Sequence, residues 1–329
     1  MKIDHNDQNK EKGTAKIAKA FKAPKGLVTM IMLAATAMTI GAEAQQTATA
    51  EGKGRQTDVS LFMKKDKAQR AVIDTSANDM YKTIGHHGPA VENSMMALRI
   101  YCKAGCAIDV YSKTKPELEL TKYGWYPTQE QIESGAGCDE YRVGKTTGLG
   151  GFGLWDGEKT VPLTSTNGRR IEATTDDEGA QISMTVRGVE YKGEKIDVKL
   201  SVRVTESSRV AEIEAECISG QKVVFVSGIN FHPEQTVVES ENGREGRMAT
   251  WGVHPADIVA NPLPIGGGLV YDAKVWQQDK IDTANGFLPI KTRKAVKRAK
   301  VRVVAACQRE GEVNDMAKFM NLVQGLSLK

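Results

Sequence analysis

Two short blocks of this 329-residue sequence, 85–113 and 135–157, gather side chains suited to proton transfer and charge recognition. Two of its five histidines, His86 and His87, stand side by side ahead of Gly88-Pro89, and Glu92 follows. From Met96 to Tyr101, apolar Met96, Leu98 and Ile100 alternate with Ala97, Arg99 and Tyr101, a strand-like spacing that puts Arg99 and Tyr101 on one face. In AIDVYSK, Asp109 and Tyr111 share a face in the same way, and GCDEYRVG offers Asp139 and Tyr141.

An arginine fork clasps carboxylates, imidazoles titrate near neutral pH, and a phenol can give or take a proton. This set points to acid–base chemistry beside a bound carboxylate. His86, His87, Tyr101 and Tyr111 are the expected proton-transfer groups, and Glu92, Arg99, Asp109, Asp139 and Tyr141 the expected substrate contacts. Neighbouring side chains diverge, so only one of the two histidines is expected to face a substrate. A cross-strand Arg99–Asp109 ion pair at a surface is the plain structural alternative.

The scaffold that must position these residues reads as β. In KIDVKLSVRV, Ile196, Val198, Leu200, Val202 and Val204 alternate with polar residues, the pattern of a half-buried antiparallel strand. Similar runs are separated by turn signals such as Asn167-Gly168, Lys192-Gly193 and Asn242-Gly243, which together predict an all-β, antiparallel sandwich. Helix is expected only around 127–134 and in a short closing helix over 314–326. No linker divides the chain, so residues 58–329 are read as a single domain, preceded by a flexible lead-in at 45–57.

Seven lysines in the first 25 residues, the apolar run 26–41 and Ala42-Glu43-Ala44 have the form of a signal peptide ending at residue 44. The product is expected in the periplasm or secreted, with no membrane attachment after cleavage. Taking away the seven lysines and four acidic residues of 1–44 leaves 38 basic against 37 acidic residues, which gives no electrostatic case for binding nucleic acid. The five cysteines read as buried thiols, with a Cys102–Cys106 bridge as the alternative. GLGGFG at 148–153 fits a dinucleotide fingerprint by letter, but LWDGEKTVPL after it is a hairpin, not a helix. Those glycines mean only that backbone passes close to a strand or a ligand. The basic run AVKRAK, 295–300, reads equally as a patch for an acidic polysaccharide or as a strand edge protected by lysines. No cofactor and no metal are expected.

HHGPAVENSMMALRIY, AIDVYSK, GAGCDEYRVGKTTGLGGFGLWDG and the terminal VRVVAACQREGEVNDMAKFMNLVQGL resemble the family called domain of unknown function 4861, over about residues 57–329. Its members are exported proteins of Bacteroidetes, commonly encoded beside pectin- or ulvan-degrading enzymes, and a relative is reported as an oligosaccharide dehydratase. With the strand count, the resemblance implies a galactose-mutarotase-like supersandwich. It also implies an oligosaccharide partner and elimination, of dehydratase or lyase type, next to a uronate. Trp125, Tyr126 and Trp155 then become expected stacking platforms for sugar rings, whereas Trp251 and Trp276 fit core packing. A non-catalytic oligosaccharide-binding module and an epimerase-like enzyme are the alternatives. N-terminal sequencing of the native protein is expected to start at Gln45; finding residues 1–44 intact would overturn the export reading.

Overall fold

The computed structural model describes residues 56–328 apart from 207 and 258. The expected signal segment, its cleavage point and most of the lead-in lie outside the described residues. In chain order the strands are β1 (Thr57–Ser60), β2 (Val72–Thr75), β3 (Ala90–Asn93), β4 (Ala97–Ile100), β5 (Ile108–Tyr111), β6 (Gly153–Trp155), β7 (Thr160–Pro162), β8 (Arg169–Asp176) and β9 (Gly179–Tyr191). They continue as β10 (Glu194–Thr205), β11 (Ala211–Cys217), β12 (Phe225–Asn230), β13 (Thr236–Glu241), β14 (Glu245–Gly252), β15 (Ile265–Asp272), β16 (Trp276–Gln278), β17 (Phe287–Thr292) and β18 (Arg298–Cys307). Among the described residues, helix is confined to α1 (Gln129–Glu133), α2 (Met316–Gly325) and two single 3-10 turns.

The strands pair antiparallel in three sheets, an all-β sandwich. The sheet β13-β14-β15-β18-β11-β10-β9-β8-β2 forms one long wall. Against its inner face pack β1-β3-β4-β5, mainly over β8, β9 and β10, and β16-β17-β12-β6-β7, whose β12 meets β14 and β15. One apolar core runs through all three sheets. The alternation in β10 explains its burial: Ile196, Val198, Leu200, Val202 and Val204 point inward and are buried. Its outward residues Lys199 and Arg203 stand opposite Glu216 and Glu212 of β11.

The basic run at 295–300 is not an edge. Its Arg298 and Lys300 lie in β18, between β15 and β11, and reach Glu216 at 2.9 Å and Glu212 at 3.0 Å across the sheet. Helix α2 begins where the Asp315 side chain accepts from the Lys318 N–H, and it lays Phe319 and Val323 on Trp251 and Val304. All five cysteines are buried free thiols. Among the described residues no helix is long and apolar enough to cross a membrane.

The glycine run has a local cause. Residues 147–149 lie against β5, with Ile108 N–H on the Thr147 carbonyl at 2.9 Å and Leu149 N–H on the Ile108 carbonyl at 3.1 Å. A Cβ at Gly148 would fall 1.9 Å from the Ile108 oxygen, and its φ of +73° is costly for any other residue. Gly148→Ala is therefore expected to destabilise by about 1–3 kcal/mol in urea unfolding. Leu200→Ala, which empties a core position, should lose about 2–5 kcal/mol, and a variant as stable as wild type would contradict its placement.

Candidate active site

Strands β4 and β5 bring Arg99 opposite Asp109, Leu98 opposite Val110 and Ala97 opposite Tyr111. Leu98, Ile100, Ile108 and Val110 face the main core. The opposite face, with Arg99, Asp109 and Tyr111, is roofed by the chain between β5 and β6, where Leu120 and Trp125 pack on Ala90, Ala97 and Tyr111. Glu92 of β3 anchors this roof: its carboxylate holds the Lys113 ammonium and accepts the N–H groups of Glu119 at 2.9 Å and Leu120 at 2.7 Å. Glu119 accepts from the Tyr111 hydroxyl and the Gly137 N–H, both at 2.8 Å. Glu92 and Tyr111 are thus placed in the roof's anchorage, fully buried.

Beneath the roof Arg99 has no exposed surface. Its Nε and Nη2 donate to Asp109 Oδ2 at 2.9 and 2.6 Å, and Nη2 also reaches Asp139 Oδ2 at 2.9 Å and the Tyr101 hydroxyl at 2.5 Å. Nη1 donates to the His86 carbonyl at 2.9 Å and to the Tyr126 hydroxyl at 2.6 Å. The Trp125 indole, buried and not a platform, lies over the guanidinium at 4.3 Å. The Arg99–Asp109 pair is therefore a buried network in place of a surface pair. With its donors engaged inside the protein, Arg99 organises the site instead of clasping a substrate. Tyr126 keeps an exposed ring.

Asp109 and Asp139 share this one cation. Burial pushes both carboxyls up. On Asp109 it is opposed by Arg99, the Tyr101 hydroxyl at 2.9 Å and the Val110 N–H at 2.9 Å, so the charge settles there. Asp139 receives one Arg99 contact and faces the charge of Asp109; burial first and that repulsion second push it up to about 8. Burial and the Asp109 charge thus favour the protonated form of Asp139 at neutral pH.

The paired histidines diverge as expected, on an unusual backbone. His86 and His87 have φ of +51° and +58°, left-handed values that histidine tolerates better than most residues but at a cost. His86 turns inward, where Nδ1 accepts from the Trp125 N–H at 3.3 Å and Nε2 bonds the Ser60 hydroxyl at 2.8 Å. Burial, helped by Arg99, drives its pKa down to about 4, and both nitrogens are used. His87 turns outward, stacks on Tyr81 at 3.9 Å and gives its Nδ1 proton to the Tyr81 carbonyl. That tautomer leaves Nε2 with a free lone pair, and burial lowers its pKa below the usual value.

Asp139 opens on a cavity of about 320 Å³, lined also by Tyr81, Tyr101, Tyr141, Lys103, Arg142, Lys145 and Asp257. The cavity thus brings together Asp139, Tyr101 and Tyr141, while Arg99, Asp109 and Trp125 support it from below. Trp155 does not line it: it stands in β6 with the Lys291 ammonium over its ring at 4.5 Å. Tyr81, Lys103, Arg142, Lys145 and Asp257 were not expected. Lys103 had a signal, since it continues the Arg99–Tyr101 spacing by two; the others arrive from loops without one. Among the described residues no group of three or more His, Cys, Asp or Glu is arranged to hold a metal ion.

An antiparallel sandwich whose smaller sheet carries a buried Arg–Asp–Asp network under a polar cavity defines the class of protein. The chain belongs to the family described as Domain of unknown function (DUF4861), whose model matches residues 2–329. No curated protein matches it significantly. Among solved structures, a 4-alpha-glucanotransferase from Thermococcus litoralis is similar at 10% identity and a TM-score of 0.31, over 67% of this chain. The chain spans 38% of that enzyme's length.

Removing the shared cation isolates its role. Arg99→Met should cost about 3–5 kcal/mol in denaturant unfolding, because it strands a buried carboxylate. Asp139 gives a pH signature: the folded chain keeps a proton that the unfolded chain releases near pH 3.8, so stability should fall as pH rises from about 4 to about 8 and then level. Asp139→Asn should flatten that fall, and an unchanged profile would show that Asp139 ionises normally.

Proposed function

We propose that this protein is an exported, carbohydrate-active enzyme that works by elimination on oligosaccharides containing uronic acid, removing water or a sugar. The observation that carries the reading is the placement of Asp139, a carboxyl crowded against Asp109 on one shared arginine and pushed up to about 8, on the wall of a cavity whose lining includes Lys103, Arg142 and Lys145. Elimination beside a carboxylate needs three services. The growing negative charge must be neutralised, the proton on C5 removed, and the departing oxygen protonated.

Cations of the lining answer the first need. His87 is not on the lining itself but stacks on Tyr81, which is, and its Nε2, without a hydrogen-bond partner among the described residues, answers the second from that rim: it takes the C5 proton, and the C–H electron pair becomes the new C4–C5 double bond. Asp139 answers the third by giving its proton to the oxygen as the C4–O bond breaks. Water leaves if that oxygen is a hydroxyl, a shortened sugar if it is a glycosidic link. The exposed Tyr126 ring offers a face for sugar C–H groups. A module that only holds sugar gains nothing from a carboxyl kept neutral, which favours catalysis over simple binding.

Mature protein incubated with uronate oligosaccharides should produce the absorbance of a conjugated double bond and, by mass spectrometry, loss of water or of a sugar. Asp139→Asn and His87→Ala should each lower turnover by about two to four orders of magnitude. Activity should fall as pH rises through about 8, where Asp139 loses its proton, and on the acid side as His87 gains one below its usual pKa of 6.5. Unchanged turnover in both variants, or no unsaturated product from any uronate oligosaccharide, would overturn the proposal.

A further inference from the structure

We infer that Lys103 and Arg142 form a two-pronged clasp by which the cavity reads the negative charge of its substrate, an inference that rests on the sugar-acid reading of that cavity. The Lys103 ammonium stands 4.9 Å from the Tyr81 ring centre and 4.7 Å from that of Tyr101, and among the described residues it meets no carboxylate. The Arg142 head is exposed on the same cavity, with a long 3.4 Å contact to the Ala256 carbonyl. The matched cations of the sheet make a contrast. On the outer face of the long sheet Arg298 and Lys300 are matched to glutamates.

What fixes the two prongs is their main chain. Arg169, fully buried, donates Nη2 to the Lys103 carbonyl at 3.0 Å and Nε to the Asn78 carbonyl at 2.9 Å, three residues before Tyr81. Its other partners are the sulfurs of Cys106 at 2.9 Å and Met184 at 3.1 Å, so among the described residues this buried cation has no carboxylate. Burying a charge without a counter-ion is costly, and here it secures the loop that carries Lys103.

Arg142 is gripped from both sides. Its carbonyl accepts from Asn230 Nδ2 at 2.9 Å and His232 Nε2 at 2.7 Å, and its N–H donates to His254 Nδ1 at 3.0 Å. Two backbones held by polar side chains, of which Arg169, Asn230 and His254 are buried, each presenting an uncommitted cation to one cavity, make a preorganised receptor for a carboxylate. Of the acids on the lining, Glu140 is tied to Arg309 at 2.7 Å and Asp139 keeps its proton, which leaves Asp257 as the opposing charge.

Calorimetry with galacturonate oligosaccharides and their methyl esters tests the clasp on wild type, Lys103→Met and Arg142→Met, with circular dichroism to verify folding. Wild type should bind the acid more tightly than the ester. Each variant should lose about ten- to a hundredfold in affinity for the acid and little for the ester. Equal binding of acid and ester by wild type, or equal losses on both by the variants, would overturn the clasp. Charge-selective binding without any unsaturated product would leave the clasp standing and sink the elimination reading, whereas binding of neither ligand would sink both.

Discussion

A guanidinium with no route to water is the constraint around which this site is built. Arg99 must have its donors filled inside the protein, and it fills them with five groups: Asp109 across the sheet, Tyr101 just past the end of its own strand, the His86 carbonyl, Tyr126 and Asp139. Leaving any of these groups out would strand a buried donor or carboxylate, an error costing more than an ordinary hydrogen bond contributes. The network therefore fixes where the roof lies. Trp125 caps the guanidinium, Glu92 and Glu119 tie the roof to the strands, and Tyr111 joins that second network.

The same constraint explains the neighbouring backbone. The His86 carbonyl can point at Arg99 while its ring bonds Ser60 and the Trp125 N–H only if the chain turns sharply, and it does so through two consecutive left-handed residues. Strain of this kind persists where surroundings over-determine it. Its result is a division of labour: one imidazole is consumed as structure, and the next is thrown outward with Nε2 free. The juxtaposition of two histidines is thus a property of the turn as much as of the chemistry.

Period-two alternation was enough to read the sandwich and the burial of Val198, Leu200 and Val202, and it offered the Arg99–Asp109 pair as an alternative; the closing helix is legible from helix start signals instead. Alternation says which side chains share a face but not what covers that face. Hence Trp125 reads as a platform until the roof buries it, and Arg99 reads as a substrate clasp until its donors are counted. Arg298 and Lys300 read equally as a polysaccharide patch or a protected edge for a related reason, since sheet order is set by pairings distant in sequence. Tyr81, Arg142 and Asp257 come from loops whose approach depends on partners such as His254, more than a hundred residues from Arg142. Only Lys103 lay on a spacing that sequence could extend.

Two carboxylates sharing one arginine are not equivalent, and the asymmetry has a structural source. Asp109 sits in a strand, where its own ladder neighbour Val110 supplies an N–H and Tyr101 stands two residues from Arg99 to supply a hydroxyl. Asp139 arrives from the roof, touches the arginine once and turns toward the cavity. The strand thus holds the anion, and the loop holds the proton. An acid made this way depends on no special residue type, only on an ionised carboxylate fixed behind it and limited access to water. That is why the candidate site gathers on the four-stranded sheet, whose outer face can be roofed, while the nine-stranded sheet, with charged pairs and α2 on its outer face, serves as the wall behind it.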